Sequence, residues 1–575
     1  MRKPLIDRIK KYVTLEAPLG PPDAFQIKDD EVAAHLFDPH NKSFNALLRK
    51  EISIVIGRRG AGKTALLNSY RYNRFLSMDS LLRTNSAGVD LKRYQIVIEV
   101  TTHTQFTELR KLATGVTGYA RPIEAVIEDW SLHILDFFLA SLYESASRRG
   151  PGQKYLLQIA NYLYQDEEID HYDDIDRLND SAEKIAQTLV YGTELNGDTS
   201  LKAARRKVWG DTLFYQIFDR VRAIFASDSE ANDHITQATA MEAAKRYLEE
   251  VNKRAILIFD SMDEYEVGND IFDRTIGALL RFTASFNSTS DRIKIKLGLP
   301  SEIVHEIRRA STNPLKDFVN YDLVQWTSTE LLQIAAFRYR LFLQLYEPKL
   351  ALKLDKHDLY KRDDVWAFWA SFFPPVHKNL YGTDEDVTSY ILRHTQLLPR
   401  QLFTILERIV VLNNVKHGGY SQFKDDVVVA AVEEMESKIA LEIFGAFKHV
   451  YSEAERVGKA IFAGFETVFE YEDLEKQWNR TSRHFSLHKH NSNNEMIDLI
   501  TMFLRMGIVG VVEEEDNRYV IGSFYYNALS PPNIGRGNQL CLHPIFSKDF
   551  NAKLNSIGKA ILPRGTTIDV REKND

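Results

Sequence analysis

The stretch EISIVIGRRGAGKT, residues 51–64, carries the strongest indication of the fold. Its first six residues predict a buried strand, because they are mostly apolar and β-branched. The next eight match the Gly-x4-Gly-Lys-Thr phosphate-binding loop, and the helical pattern TALLNSYRYNRFL follows them. Such a loop requires glycine because backbone N–H groups must close around phosphate oxygens, which a Cβ atom would obstruct. Strand, loop and helix together predict a nucleotide-binding α/β core.

Each part of this loop has a predicted role. Lys63 is placed to reach the β- and γ-phosphates, and the Thr64 hydroxyl is placed to bind Mg²⁺. The helix that begins here points the positive end of its dipole at the anion. The predicted cofactors are therefore ATP and Mg²⁺. The residues predicted to form the nucleotide contacts of the loop are Gly57, Arg58, Arg59, Gly60, Ala61, Gly62, Lys63, Thr64 and Ala65.

A second strand, RAILIFD at 254–260, predicts the rest of the metal site. The apolar run AILIF buries the strand, and Asp260 emerges at its carboxyl end, where α/β sheets bind ligands. P-loop proteins hold Mg²⁺ with such a carboxylate. The acid that polarises the attacking water usually comes next, but Ser261 occupies that position. Asp263 and Glu264 are the candidates for this catalytic role, with Asp263 slightly favoured, and the alternative is that both are solvated loop acids.

Length and composition indicate the class of protein. A chain of 575 residues is too long for one core, so roughly three or four domains are expected. We find no signal-peptide pattern and no apolar run that could span a bilayer, so no membrane association is expected. The single cysteine, Cys541, excludes an intrachain disulfide and predicts a cytoplasmic location. The net charge of −7 argues against a protein whose surface is basic overall and binds nucleic acid, although it is compatible with a local basic face.

The pattern of predicted elements divides the chain into five segments. Helical patterns dominate outside the strands, with a break at FFPPVHKNLYGTDED (372–386) that cannot continue a helix. Three short helices followed by the alternating stretch GIVGVVEEEDNRYVIGSFYY (507–526) predict a winged helix with a β-hairpin. The predicted segments are an N-terminal lead-in (1–45), a P-loop ATPase core (46–330) with a helical insertion at about 105–250, a helical lid (331–447), a winged-helix domain (448–562) and a charged tail (563–575).

The order of these parts resembles the STAND branch of signal-transduction ATPases. The neighbouring AAA+ initiator ATPases and KAP-type P-loop proteins share much of this layout. The strand YQIVIEVTT (94–102) lies between the P-loop and Asp260 in sequence, which resembles P-loop ATPases with an extra strand between the Walker A and Walker B strands. The stretch LRHTQLLPRQLFTILERI (392–409) is similar to the Pro-Arg motif at which a lid helix begins in these proteins.

This resemblance implies both site residues and a function. Pro399 would begin a helix, and Arg400 would point at the γ-phosphate and sense it; the alternative is a surface arginine in a first helical turn. The implied function is a slowly hydrolysing, ATP-binding molecular switch that works as a homo-oligomer or with a partner protein. Bacterial proteins of this layout often act in defence against phages or mobile elements. Ser261 is a departure from the family, which often has two adjacent acids at this strand end.

Two other functions remain open. The stretch WNRTSRHFSLHKHNSNN (478–494) carries Arg480, Arg483 and Lys489, which could contact DNA phosphates in an ATPase that acts as an initiator or regulator. The acids at 513–516 in the hairpin would repel a DNA backbone. The remaining alternative is a P-loop kinase that phosphorylates a small molecule, although the sequence lacks a recognisable substrate lid.

Overall fold

The computed structural model describes most of the chain in two compact units. The described residues are 3–27, 52–68, 94–100, 151–164, 236–260, 270–310, 320–485, 495–525 and 534–566, with isolated positions at 29–36 and 127–146. The first unit contains residues 1–45, 57–72 and 323–575, and the second contains residues 46–56 and 73–322. The division therefore passes between the strand that precedes the P-loop and the loop itself.

The bounds of the elements are as follows. The strands are β1 Ile54–Gly57, β2 Tyr94–Val100, β3 Arg254–Phe259, β4 Ile293–Pro300, β5 Tyr321–Leu323, β6 His377–Lys378, β7 Asp384–Glu385, β8 Val468–Glu470, β9 Val509–Glu515, β10 Tyr519–Ser523, β11 Gln539–Leu542 and β12 Ala560–Pro563. The helices are α1 Lys3–Ile9, α2 Lys63–Asn68, α3 Gln153–Tyr164, α4 Gln237–Glu250, α5 Asp270–Thr289, α6 Ser301–Ala310, α7 Ser328–Tyr346, α8 Pro348–Leu354, α9 Arg362–Ala370, α10 Val387–Arg393, α11 Pro399–His417, α12 Asp425–Phe447, α13 Ala454–Phe462, α14 Tyr471–Thr481, α15 Glu495–Met506 and α16 Pro544–Ser547.

The second unit is built on a β-sheet. Within the described part of the chain, its strand order is β2-β3-β4-β1-β5. β3 pairs in parallel with both β2 and β4. β3 is buried from Ala255 onward, as expected for a strand covered on both faces. The parallel sheet and the P-loop that follows β1 confirm the predicted α/β P-loop core.

The position of the extra strand differs from its position in the sequence. A strand does lie between β1 and β3, but it is β4. β2, which lies between the P-loop and Asp260 in sequence, occupies the outer side of β3. Sequence order could not reveal this arrangement, because neighbours in a parallel sheet are joined by long crossovers. The predicted helical insertion at 105–250 is described only in part, including α3 and α4, which pack on each other.

In the first unit, the N-terminal segment packs against a lid helix through one buried arginine. Arg338 of α7 donates hydrogen bonds to the carbonyl oxygens of Leu19 (3.2 Å), Pro21 (2.9 Å) and Leu36 (3.0 Å). Burial lowers the pKa of Arg338 to about 9. The predicted lead-in is therefore an integral layer of this unit.

The helices predicted for the lid are present. α7 begins with a capping box between Thr327 and Glu330. The predicted break at 372–386 is confirmed, because α9 ends at Ala370 and α10 begins at Val387. α11 begins at Pro399, as the Pro-Arg motif predicts.

The C-terminal segment contains the predicted helices and hairpin in the predicted order. α13, α14 and α15 are followed by β9 and β10, which pair antiparallel. The sheet is larger than predicted, with the order β12-β10-β9-β11-β8 among the described strands. Its core contains Cys541, which is completely buried beside Val468, Val520 and Ile561.

The end of this domain also differs from the prediction. β12 extends to Pro563, and the Thr566 side chain is completely buried, so residues 563–566 belong to the domain rather than to a charged tail. Across the described residues, the helices are all too short or too polar to cross a bilayer.

Candidate nucleotide site

The P-loop has the backbone shape that its glycines predict. Gly60 (φ +81°) and Gly62 (φ +87°) both adopt the left-handed region, which costs glycine little. The Ala61 N–H donates to the Arg58 carbonyl oxygen at 3.0 Å, which tightens the turn before α2 begins at Lys63. A Cβ atom on Gly60 would lie 3.0 Å from the Arg400 Cβ, so the loop excludes a side chain there.

Lys63 lies folded across the loop. Its side chain is buried, and Nζ donates to the carbonyl oxygens of Gly57 (2.9 Å) and Arg58 (3.1 Å). Both acceptors are uncharged, so an anionic phosphate would attract the ammonium more strongly than they do. This residue and the loop backbone fit a nucleotide polyphosphate.

Two backbone carbonyl groups of the loop accept hydrogen bonds from residues that follow β5 in sequence. The Gly60 oxygen accepts the backbone N–H of Arg400 at 3.4 Å, and the Ala61 oxygen accepts the indole N–H of Trp326 at 2.8 Å. These bonds fix the orientation of two peptide groups of the loop, which the loop motif assigns to phosphate binding.

The side chain of Arg58 contacts other parts of the first unit rather than folding over the loop. The guanidinium donates to the amide oxygen of Gln396 and, at 3.5 Å, to the Met506 carbonyl oxygen. It also lies 5.4 Å from the centre of the Phe447 ring. Arg58 is only 3% exposed. Its backbone remains a predicted nucleotide contact, whereas its side chain contacts the lid helices and the C-terminal segment.

Arg400 contacts the loop at Gly60 and lies in an acidic environment. Its Nη2 lies 3.1 Å from Asp23 Oδ2, and both side chains are partly exposed. Burial raises the pKa of the nearby Glu442, and the positive charge of Arg400 opposes that rise. The role of Arg400 as a γ-phosphate sensor stays a prediction, and the structure pairs its side chain with Asp23.

The predicted metal ligands come from different parts of the chain. Asp260 directly follows β3, and its side chain is 9% exposed. Thr64 lies in the first turn of α2. A hydroxyl and a carboxylate are hard oxygen ligands that suit Mg²⁺. The two residues belong to separate units, so their joint site stays a prediction, and the candidate catalytic acids Asp263 and Glu264 lie outside the described residues.

The predicted DNA contacts are exposed where the structure describes them. Arg480 and Arg483 lie at and just beyond the end of α14, whereas Lys489 is outside the described residues. In the hairpin, Glu513 pairs with Arg564 at 2.8 Å and Glu515 pairs with Lys559 at 3.4 Å. Part of the acidic charge predicted to repel DNA is therefore neutralised within the domain.

Comparison with known proteins gives only distant similarities. No protein-family model and no curated protein matches the sequence. The structure of the ORC2 protein of Aeropyrum pernix in ADPNP-ADP complexes is 12% identical, over 90% of this chain and 88% of that chain, with a TM-score of 0.25. Cdc6p from Pyrobaculum aerophilum is 10% identical, over 65% of this chain and 91% of that chain, with a TM-score of 0.19. Both TM-scores are low, so the α/β P-loop assignment rests on the sheet and loop described above.

The sequence predicted the P-loop but not the residues that form hydrogen bonds and ion pairs with it and with Arg400. Asp23 contacts Arg400, and Gln396 and Met506 contact Arg58, but no sequence motif predicts these contacts. Such contacts depend on tertiary packing, which local patterns do not encode.

Proposed function

We propose that this protein binds ATP with Mg²⁺ at the P-loop, hydrolyses it slowly and works as a nucleotide-controlled switch. The observation that carries the proposal is the shape of the loop, with Gly60 and Gly62 in the left-handed region and Lys63 resting on loop carbonyl groups. This arrangement supports the capture of a polyphosphate by backbone N–H groups and one ammonium.

Each residue of the site would have a separate role in binding the nucleotide and Mg²⁺. Lys63 would exchange the carbonyl oxygens of Gly57 and Arg58 for the β- and γ-phosphates. Thr64 and Asp260 would hold Mg²⁺, which when bound neutralises charge on the phosphates. Arg400 would exchange the Asp23 carboxylate for the γ-phosphate, so the first turn of α11 would differ between the ATP and ADP states.

Nucleotide binding tests the central proposal. We expect the wild-type protein to bind a fluorescent ATP analogue and Lys63→Ala to lose this binding. Lys438→Ala is the matched control, because Lys438 is 62% exposed and makes only a surface pair with Glu434 at 3.5 Å. Wild-type protein whose thermal midpoint and fluorescence do not respond to ATP with Mg²⁺ would contradict the proposal, since a bound ligand stabilises the folded state.

Turnover tests the metal and the catalytic acid separately. Asp260→Ala should abolish the Mg²⁺-dependent part of nucleotide binding and hydrolysis. The single changes Asp263→Ala and Glu264→Ala should identify the acid that orients water, since only one should slow phosphate release at saturating ATP. Unchanged rates in both variants would exclude these acids from catalysis.

The proposed switch of STAND or AAA+ type would act through assembly, and bacterial defence is the biological role we propose for it. Support comes from the first unit, where the P-loop residues contact both the lid helices and the C-terminal segment. Light scattering after size-exclusion chromatography, with and without a non-hydrolysable ATP analogue, should show a change in mass or shape in wild type but not in Lys63→Ala. An identical particle in every case would refute the switch.

A DNA-engaged ATPase is the second candidate. The favouring observations are the pairing of hairpin acids with Arg564 and Lys559 and the exposure of Arg480 and Arg483. Duplex DNA affinity should then fall steeply with salt, and the double change Arg480→Glu with Arg483→Glu should abolish it. Binding that is insensitive to salt or to this double change would exclude the C-terminal segment as the DNA contact.

A further inference from the structure

One short turn holds the P-loop at two points. The turn joins α10 to α11 and contains residues 394–398, followed by Pro399 and Arg400. Gln396 accepts a hydrogen bond from the Arg58 side chain, and the backbone N–H of Arg400 donates to the Gly60 oxygen at 3.4 Å. The two contacts lie four residues apart in the turn and two residues apart in the loop, so a change in loop shape must act on this turn.

Gln396 also connects the loop to the C-terminal segment. Its Nε2 donates to the carbonyl oxygens of Met506 (3.0 Å) and Gly507 (3.3 Å), at the end of α15. Arg58 reaches the same Met506 oxygen at 3.5 Å. Gln396 is completely buried, so water does not compete for these bonds. The amide oxygen thus contacts the P-loop, and the amide nitrogen contacts the residues just before the hairpin.

The backbone around Gln396 is constrained. Leu397 has φ +51°, a value that is unusual for a bulky residue. The Leu397 N–H donates to the Thr395 hydroxyl at 3.2 Å, and the Gln396 N–H donates to Gln401 Oε1 at 2.7 Å. Strained backbone persists only where the surroundings hold it, and such positions are frequent in switch regions.

We infer that Arg58 and Gln396 are a positioning pair that transmits the shape of the P-loop to the Met506–Gly507 turn. A phosphate that draws Lys63 off the Arg58 carbonyl removes one restraint on residue 58. Any resulting movement of residue 58 displaces Gln396 through their buried hydrogen bond. Gln396 in turn displaces the end of α15 through its hydrogen bonds to Met506 and Gly507. The inference rests on the proposed nucleotide binding and adds the route by which the C-terminal domain detects it.

Substitutions of Gln396 can separate its contact with Arg58 from its contacts with Met506 and Gly507. Gln396→Glu keeps an oxygen for Arg58 but loses the N–H donors to Met506 and Gly507. Gln396→Met loses both. Arg408→Met is the matched control, because Arg408 lies on α11 but makes a surface pair with Glu434 at 2.6 Å.

The experiment measures nucleotide affinity and hydrogen–deuterium exchange of residues 495–515 in the same samples of full-length protein. In wild type and Arg408→Met, the ATP analogue should change exchange in this segment by at least about threefold in rate. In Gln396→Glu and Gln396→Met, affinity should stay within about tenfold of wild type, while the nucleotide-dependent change is lost. Circular dichroism confirms folding, and Gln396→Glu keeps the test valid if Gln396→Met does not fold.

The outcomes separate the inference from the function on which it rests. If wild type binds no nucleotide, the proposed function fails, and the inference fails with it. If both Gln396 variants bind nucleotide and residues 495–515 still respond as in wild type, only the inference is overturned. A wild-type protein that binds nucleotide without any response in this segment also overturns it.

Discussion

Two arginine contacts near the P-loop differ in kind, and we call them the buried side and the exchangeable side. On the buried side, Arg58 reaches Gln396 and Met506 in a buried environment. On the exchangeable side, Arg400 pairs with Asp23, and both side chains are partly exposed. Buried hydrogen bonds are costly to break, whereas exposed ion pairs contribute little and exchange readily. The buried side is therefore suited to transmit a conformational change, and the exchangeable side is suited to exchange one anion for another.

The largest expected effect is on the buried side. Arg58→Met should lower the free energy of unfolding by about 2–4 kcal/mol, because it removes charge-assisted hydrogen bonds and takes the Arg58 donor away from the buried amide oxygen of Gln396. Chemical denaturation measures this change. Asp23→Asn should cost less than about 1 kcal/mol, since it removes only a partly exposed ion pair. Equal losses in the two variants would contradict the distinction between the two sides.

A titratable pair next to Gln396 makes the buried side sensitive to pH. His394 Nδ1 donates to the Tyr390 carbonyl oxygen at 2.7 Å, and Nε2 lies 3.2 Å from Glu436 Oε1. Burial raises the pKa of Glu436 to about 8, and it lowers the pKa of His394 well below its usual 6.5. Because Nδ1 must carry the proton, neutral Nε2 accepts a hydrogen bond from the protonated carboxyl group. The contact is therefore a neutral hydrogen bond rather than an ion pair.

The sign of the pH effect follows from these shifts. Stability due to Glu436 is fully present below its unfolded pKa of about 4.5 and is lost as pH rises through about 8. Stability that depends on neutral His394 is present above pH 6.5 and falls as pH decreases. Between pH 6.5 and 8, wild type should lose about 2 kcal/mol, since one pKa unit corresponds to about 1.4 kcal/mol.

Glu436→Gln tests this pH dependence. The glutamine amide can still donate to His394, but it does not titrate, so the variant should show a nearly flat stability between pH 6.5 and 8. Denaturation midpoints at a series of pH values measure the two slopes. The nearby charges of Arg393, Lys548 and Glu433 remain in both proteins and cancel in the comparison. A slope in the variant equal to that of wild type would exclude Glu436 as its source.

The smallest expected effect is on the exchangeable side. Asp23→Asn should raise the affinity for an ATP analogue by about threefold to tenfold and leave ADP affinity unchanged, because Arg400 would no longer have to leave a carboxylate for the γ-phosphate. Titration calorimetry with the two nucleotides measures the ratio. A similar change for ADP would show that Arg400 does not distinguish them.

The parts of the molecule that sequence predicts are those with local signals. The strand before Gly57, the start of α11 at Pro399 and the hairpin of β9 and β10 follow from short patterns, and all are confirmed. The position of β4 between β1 and β3 was not predictable, because sheet order depends on crossovers. The contacts of Arg58 were missed for a related reason. Its partners Gln396 and Met506 are 338 and 448 residues away in sequence.

Cys541 gives the unmodified protein a built-in reporter. It is the only cysteine of the chain, and it is completely buried in the C-terminal sheet, where a Cβ atom on Gly522 would lie 2.5 Å from its sulfur. Burial also raises the pKa of the thiol, so the reactive thiolate is scarce. A thiol reagent can therefore react only when this sheet opens, and the labelling rate measures the frequency of that opening. Any nucleotide that loosens or tightens the C-terminal domain should change this rate without an introduced probe.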